Sequence, residues 1–477
     1  MESPDNQSIL DSQSTHHENS ERARQHSERM SVLHEGAIIV TICMAQILAL
    51  SVLGQGLAPL HIFGGNFGIT NEGQISWYLA AFSLTVGTFI LPAGRLGDNL
   101  FWYGVWSLIA GFSVYSTSIL FSVCRSFQGI GPALIVPNAL AIAGCSFQGK
   151  KKNYVFACFG ASAPAGAVLG GVFAAIFSQL IWWPWTYWVM GIVLFTYTAT
   201  SCLILPPDEQ DVRSAVSKPT FDFAGTITGV TGLVISNFAW NQAAVVEWSV
   251  PYTYILLIFG MLFFGIFIYV ETHVARYPLV PIKSPSKEAL YALSIIACGW
   301  ACFGICVFYL WQLIENLRHH SVLSAAAQQC PVGMSGLLAS LAVGYLFSKF
   351  HVAYIMVGAM ACFITGQVLL ATVPVSQTYW AQTFVALIVM PWGMDMSFPA
   401  GTIILSNGMP REHQGIAASL INTSIAGTTI WQTDTRDDNT LGSYRNAWSF
   451  TIGLDGLGVV VALYFLWISA GRSKARC

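Results

Sequence analysis

The sequence predicts an all-α membrane protein with about fourteen transmembrane spans. Three observations predict this class: 54% of the 477 residues are hydrophobic, only 9% are charged, and long apolar runs recur along the chain. A soluble globule of this size needs more polar surface, whereas a bilayer core of about 30 Å takes roughly 20 apolar residues per helix. The formal net charge of −2 provides no basic surface, so a nucleic-acid partner is not expected.

The apolar runs divide into fourteen predicted spans, numbered here in chain order. They cover residues 36–58, 74–95, 102–122, 126–146, 154–177, 184–205, 223–243, 252–271, 289–313, 322–347, 352–373, 380–405, 415–431 and 446–469. The even number places both chain ends on one side. With those ends in the cytosol, 17 of the 21 Lys and Arg residues lie inside, the exceptions being Arg125, Arg318, Arg436 and Arg445. This asymmetry favours cytosolic termini.

Polar stretches divide the spans into groups of six, two and six. The segments 206–220 and 272–288 carry the prolines and charges of linkers and flank spans seven and eight. The predicted organisation is a disordered cytosolic tail (1–35), a six-helix bundle (36–205), a linker with two extra spans (206–288), a second six-helix bundle (289–470) and a cytosolic tail (471–477). Gly94 and Leu96 at the end of span two recur as Gly344 and Leu346, as expected for two parallel halves.

A short motif, GRLGD, joins spans two and three. Gly94 and Gly97 would let neighbouring helices approach closely, Arg95 lies on the cytosolic side, and Asp98 would cap the following helix. An ordinary capped loop explains the same residues equally well.

Span four carries a charge and two amides. Arg125, Gln128 and Gly129 share one helix face, which combines a guanidinium, an amide and a gap for a neighbouring backbone. Asn138 follows in the same span. Arg125 is either a buried participant in proton or substrate handling, or a side chain that snorkels to the outer membrane face.

Span five contains a run of small residues around a proline. Gly166 and Gly170 form a GxxxG contact, Gly171 extends it, and Pro164 interrupts the hydrogen-bond ladder. This pattern predicts either tight static packing or an interface at which two bundles rock and seal.

These three motifs resemble the signatures of the major facilitator superfamily. With fourteen spans and the stretch SWYLAAFSLTVGTFILPAGRLGD, the chain is similar to the fourteen-span drug:proton antiporter branch, particularly its fungal members. The resemblance implies the major facilitator fold, two six-helix bundles plus two additional transmembrane helices. It also implies a cytosolic latch at Asp98, proton coupling at Arg125, and an exporter-type seal at Pro164, Gly166, Gly170 and Gly171. The sequence departs from the family pattern after Asp98 and in the short span thirteen.

Other polar residues inside spans are further candidates for the substrate and proton pathway. Asp395 lies mid-span among prolines and methionines, and Asp455 lies in span fourteen; each is either functional or a paired structural carboxylate. Gln46 and Gln55 fall on opposite faces of span one, and Gln46 is favoured for the central cavity. The residues Trp311, Gln312 and Glu315 end span nine as an outer gate or an interfacial cap.

The leading hypothesis is a secondary transporter that exports small organic or toxic compounds in exchange for protons. The expected partners are a small-molecule substrate, protons and the lipid bilayer, with the proton gradient as energy source and no cofactor or metal. A monomer in the plasma membrane is expected. The alternatives are an uptake or facilitative carrier for a small polar solute, and a non-transporting or incomplete variant. An enzyme is not expected, since no catalytic constellation is present.

Overall fold

A computed structural model describes residues 32–93, 100–147, 149–205, 222–275, 286–408 and 440–474. The described residues form helices, turns and loops and contain no strand. The α-helices are α1 (Val32–Leu57), α2 (Leu60–Asn66), α3 (Glu72–Ala93), α4 (Leu100–Phe112), α5 (Ser118–Ser146), α6 (Gly149–Ile176), α7 (Pro184–Ile204), α8 (Phe223–Val246), α9 (Pro251–Tyr269), α10 (Lys287–Gln312), α11 (Val322–Lys349), α12 (Val352–Ala371), α13 (Gln382–Gly408) and α14 (Thr440–Lys474). Short π-helical turns extend α6 (Phe177–Ile181), α9 (Val270–Val274) and α10 (Leu313–Leu317).

The predicted all-α membrane architecture is confirmed. Thirteen of the fourteen predicted spans coincide with α1 and α3–α14, and eleven of the described helices are long and apolar enough to cross a bilayer. The predicted thirteenth span (415–431) and the GRLGD motif, with Gly94, Arg95, Gly97 and Asp98, lie outside the described residues. Their proposed roles stay predictions.

The predicted boundary between spans three and four is wrong. Helix α4 ends at Phe112, a 3-10 turn covers Ser113–Tyr115, and α5 begins at Ser118 instead of residue 126. The hydroxyl of Thr117 caps α5 by accepting a hydrogen bond from the Leu120 amide at 3.2 Å. The prediction followed an uninterrupted apolar run, whereas the Ser and Thr residues in it favour a turn and a helix start.

The first described helix, α1, begins and the last, α14, ends at one face of the molecule, called here the terminal face. At this face Lys151 at the start of α6 pairs with Glu35 at the start of α1 (3.0 Å), and Tyr291 near the start of α10 contacts Phe465 near the end of α14. The opposite end of α10 contacts the start of α14 through Tyr309 and Tyr444, with ring centroids 5.1 Å apart. We call this second end of the molecule the distal face.

The apolar cores show which face is closed. Towards the terminal face, the first bundle (α1 and α3–α7) and the second bundle (α10–α14) have separate clusters, one around Ile42 and Phe159, the other around Ile296 and Phe465. Towards the distal face one cluster contains residues of both bundles, including Ala174 of α6 and Trp448 of α14. Among the residues that the structure describes, the bundles therefore share a core at the distal face, whereas their terminal-face cores are separate.

Helix α6 lies at the centre of this arrangement. It packs against α1 within the first bundle and against α11 of the second bundle, and we call the α6–α11 contact the seam. The extra hairpin α8–α9 lies outside both bundles, where α8 contacts α3 and the rings of Phe238 and Trp77 are 5.2 Å apart. The inserted pair therefore adds to the periphery of the first bundle.

We expect G170A to lower the free energy of unfolding by about 1–3 kcal/mol, the usual cost of overpacking. A Cβ at Gly170 would overlap the backbone carbonyl of Ser51 in α1, which cannot move without separating the helices. Denaturant titration in detergent micelles measures the change. G160A is the matched control on the same helix, because a Cβ there meets nothing within 4 Å; equal effects of the two changes would contradict the prediction.

Candidate functional site

Arg125 is fully buried between α1, α3 and α5. Its Nε donates to the Tyr78 carbonyl oxygen (3.0 Å), Nη1 to Oε1 of Gln128 (2.6 Å), and Nη2 to the Val52 carbonyl oxygen (3.2 Å). The amide of Gln128 in turn donates to the Ser107 hydroxyl of α4 at 2.9 Å. One guanidinium thus ties together four helices of the first bundle.

The snorkelling interpretation of Arg125 is wrong, because α5 starts earlier than predicted and places this residue two turns inside the helix. Its guanidinium carbon lies 4.8 Å from the ring centroid of Phe82 and 5.7 Å from that of Tyr187. Room for it depends on Gly56, where a Cβ would lie 2.6 Å from Nη2. In the described part of the chain no carboxylate pairs with this charge, so carbonyl oxygens, an amide and aromatic rings stabilise it.

The other polar candidates of the first bundle are also buried. Gln46 and Gln55 are 9% and 5% exposed, and the Oε1 atom of each has no hydrogen-bond partner among the described residues. The structure therefore does not single out Gln46. Asn138 is buried further along α5, and a Cβ at Gly129 would lie 2.5 Å from the Phe82 carbonyl oxygen. Gly129 thus allows the close approach of α5 and α3.

The small residues of α6 face two different neighbours. Gly166 and Gly170 contact α1 in their own bundle, where a Cβ at Gly166 would lie 2.6 Å from the Ile47 carbonyl oxygen. The idea that this GxxxG pair lies between the bundles is therefore wrong. The seam is formed by Pro164, which contacts Gly336 of α11, while Gly171 lies near Trp311 of α10.

Asp395 of α13 reaches the seam. A Cβ at Gly336 would lie 2.6 Å from Cγ of Pro164 and 2.9 Å from Oδ2 of Asp395. The Ser340 hydroxyl, one turn further along α11, lies beside the same carboxylate. A titratable group of the second bundle therefore lies next to the proline that interrupts the ladder of α6.

Two of the methionines near Asp395 belong to the apolar cores. Met390 is buried in the distal cluster and Met396 in the terminal-face cluster of the second bundle. Asp455 is fully buried inside the second bundle, beside the Cys302 thiol, which donates to the Thr451 carbonyl oxygen at 3.2 Å. Of the two intramembrane aspartates, only Asp395 lies at the seam.

At the distal face, the predicted gate residues contact the first bundle. A Cβ at Gly171 would lie 3.9 Å from the Trp311 ring. The buried Gln312 side chain is hydrogen-bonded through Oε1 to Nε2 of His61 in α2. Sequence reasoning missed His61, because it lies in an apolar run with no motif around it. Glu315 follows in the π-helical turn and is partly buried.

The loops of the second bundle at the distal face are held by hydrogen bonds. Arg318 donates to the Thr383 hydroxyl (3.1 Å) and to the Pro374 carbonyl oxygen (3.2 Å), and burial lowers the pKa of its guanidinium. The Tyr379 hydroxyl donates to the Gln328 carbonyl oxygen at 2.7 Å, and burial raises its pKa to about 12. Both groups therefore stay in one protonation state near neutral pH.

Comparison with known proteins gives a family and several relatives. The sequence profile of the Major Facilitator Superfamily matches residues 37–430. The chain is 50% identical over 470 residues to the low affinity ammonium transporter of Saccharomyces cerevisiae, covering 94% of this chain and 91% of that protein. It is 41% identical over 461 residues to the efflux pump terJ of Aspergillus terreus, covering 91% and 88%.

A solved structure shares the fold. The peptide transporter POT in complex with sulfate superposes with a TM-score of 0.62 and 14% sequence identity, covering 91% of this chain and 94% of that one. At this identity the likeness concerns the arrangement of helices alone.

We expect R125K to destabilise the first bundle by about 3 kcal/mol, because hydrogen bonds to charged groups contribute about 1.5–3 kcal/mol each and lysine cannot reproduce the three-way fork. Denaturant titration in micelles measures the loss. R445K is the control, since within the described part of the chain the Arg445 guanidinium makes one long hydrogen bond, to the Val373 carbonyl oxygen at 3.5 Å. An R125K protein as stable as R445K would show that the fork contributes little.

Proposed function

Because the chain belongs to the Major Facilitator Superfamily, we propose that it is a secondary transporter that exports small organic compounds in exchange for protons. Family membership makes it a multi-pass membrane transporter and not an enzyme. The substrate and the direction of transport are the parts that we propose.

The distribution of the apolar cores carries the proposal. A core shared by both bundles at the distal face, with separate cores at the terminal face, is the arrangement of a carrier that is closed on one side of the membrane. Rocking the bundles about the seam would break the shared core and open the distal face. A substrate would then bind between the bundles near mid-depth, where Pro164, Gly336 and Asp395 meet.

Asp395 is the group we assign to the proton. An ionised carboxylate in a low-dielectric interior is costly unless it is paired, and in the described part of the chain no basic side chain pairs with Asp395. Its place at the seam means that movement of the bundles would change its exposure to water. Proton binding and release would therefore follow the conformational cycle.

The Lys and Arg residues that the sequence assigns to the same side as the chain ends support a cytosolic position for the terminal face. We accordingly place the protein in the plasma membrane with both termini inside, as a monomer driven by the proton gradient. Export would then start from the conformation described here, which is closed towards the outside.

A second candidate function is movement of ammonium. The observation that favours it is the 50% identity, over nearly the whole chain, to a protein named as a low affinity ammonium transporter. An unpaired carboxylate at the seam suits a small cation as well as a proton. The relative named as an efflux pump has lower identity but similar coverage. Of the exporter-type residues of α6, Pro164 and Gly171 lie against the second bundle, and these two support the first proposal.

Yeast cells that produce the full chain distinguish these substrates. For the exporter we expect higher tolerance to at least one compound of a panel of small organic toxins, and lower accumulation of that compound. Uptake of radiolabelled methylammonium, measured in cells that lack their own ammonium carriers, tests the second candidate. Gain of methylammonium uptake without any gain of tolerance would overturn the exporter, and failure in both assays would support a non-transporting variant.

We expect D395N to abolish transport driven by an imposed pH gradient while leaving counterflow of the same compound, because an amide cannot exchange a proton. The measurement uses the purified protein in vesicles and the compound that cells export. D455N is the matched control, since Asp455 lies inside the second bundle, away from the seam. Gradient-driven transport by D395N at the native rate would rule out Asp395 as the coupling group.

A further inference from the structure

We call the contact between the two bundles at the distal face, around Trp311 and Gln312, the distal gate. It contains a hydrogen bond between the bundles. His61 belongs to α2, which follows α1 and packs on α3 in the first bundle, while Gln312 ends α10 in the second. The imidazole Nε2 of His61 is hydrogen-bonded to Oε1 of Gln312, and Gln312 is only 3% exposed. Because the two residues are 251 positions apart and belong to different bundles, this bond must break when the distal face opens.

A second hydrogen bond also joins the two bundles. Gln179, in the π-helical turn that extends α6, accepts a hydrogen bond from the Leu323 amide at the start of α11 (2.8 Å). Gln179 lies within the π-helical turn Phe177–Ile181, and Gln312 directly precedes the π-helical turn Leu313–Leu317, so each bond across the bundles involves a residue in or next to such a turn. Single π-helical turns in α-helices are frequent at functional sites.

The orientation of two amide groups sets the direction of this bond. In the structure, Oε1 of Gln312 also accepts a hydrogen bond from Nδ2 of Asn316 at 2.8 Å. With the amides of Gln312 and Asn316 in this orientation, the oxygen accepts both bonds and Nε2 of His61 is the donor. The neutral imidazole can donate in its Nε2–H tautomer, and the imidazolium donates more strongly because its bond is charge-assisted.

We propose that His61 is a positioning residue of the transport cycle, whose hydrogen bond to Gln312 holds the distal gate closed and tightens when the imidazole is protonated. This inference rests on the proposed alternating-access function. It assigns to the gate a response to acid on the distal side that is separate from proton binding at Asp395.

Other charged or titratable groups near the gate have positions and partners of their own. Glu315 lies in the π-helical turn that follows Gln312. The cations are held by other partners, Arg125 within the first bundle and Arg318 on the loops of the second. Further titratable residues on the described helices around α2 and on the loop after the π-helical turn include Tyr78, Cys124, Tyr187, His319 and His320.

The Leu323 amide provides a built-in reporter of the gate. It lies in the first turn of α11, where backbone amides have no partner within their own helix. The Leu323 amide instead donates to Oε1 of Gln179 in the other bundle, and this bond slows its exchange with water. Hydrogen–deuterium exchange of a peptide covering residues 318–326, with the full chain in lipid nanodiscs, therefore measures how often the gate opens.

The test compares four variants with the native chain at pH 5.5 and pH 7.5. H61A removes the donor, H61Q keeps a donor that does not titrate, and Q179A removes the acceptor of the reporter amide and sets the upper limit of exchange. H320Q is the matched control, because the His320 side chain is exposed at the same face and is hydrogen-bonded within its own bundle, to the Ser324 hydroxyl at 3.4 Å. Exchange of α12 peptides checks that each variant keeps its fold.

We expect H61A to exchange at Leu323 roughly two- to tenfold faster than the native chain, the effect of losing one hydrogen bond. H61Q should exchange at the native rate at pH 7.5 but should lack the slower exchange that the native chain shows at pH 5.5. H320Q should exchange at the native rate at both pH values. Exchange at Leu323 in H61A at the native rate would show that the His61–Gln312 bond does not hold the gate closed. Native slowing of exchange at pH 5.5 in H61Q would show that the imidazole has no part in the response to acid. Neither outcome depends on a substrate or a pH gradient, so failure here is separate from failure of the proposed transport.

Discussion

The close approach of α1 and α6 is the constraint on which the rest of the structure depends. Gly54 and Gly170 bring the two backbones into contact, so no side chain separates the helices at these points. One side of α6 is thereby fixed within the first bundle, and the other side remains available to α11. Because van der Waals packing replaces the hydrophobic effect inside a bilayer, such backbone contacts supply much of the rigidity that a rocking bundle needs.

Buried charge is distributed unequally between the bundles. The guanidinium of Arg125 is held by two backbone carbonyl oxygens and an amide, partners that belong to the rigid frame of the first bundle. Asp395 lies at the seam, where its neighbours include residues of α11 and of the other bundle. A charge with fixed partners contributes to stability, whereas a charge whose neighbours change can couple binding to movement. On the proposed function, Arg125 would therefore be a structural ion and Asp395 an exchangeable one.

Much of this fold could be predicted from the sequence, since bilayer thickness requires long apolar helices. The turn at Ser113–Tyr115 was missed because hydropathy does not detect hydroxyl caps inside an apolar run. The partner of the GxxxG motif was misassigned, since a helix face of small residues does not specify which helix covers it. His61 could not be predicted at all, because its role depends on one contact across 251 positions.

The distal gate combines a large apolar core with few polar bonds, and the two have different roles. The shared core, with residues such as Trp311 and Trp448, supplies most of the attraction between the bundles in the closed state. In a carrier that alternates, this attraction must be nearly balanced by contacts formed in the other state. A single hydrogen bond of about 1 kcal/mol then changes the ratio of the two states about fivefold. Weak polar contacts such as that of His61 with Gln312 can therefore set the position of the equilibrium, although they contribute little to the total interface.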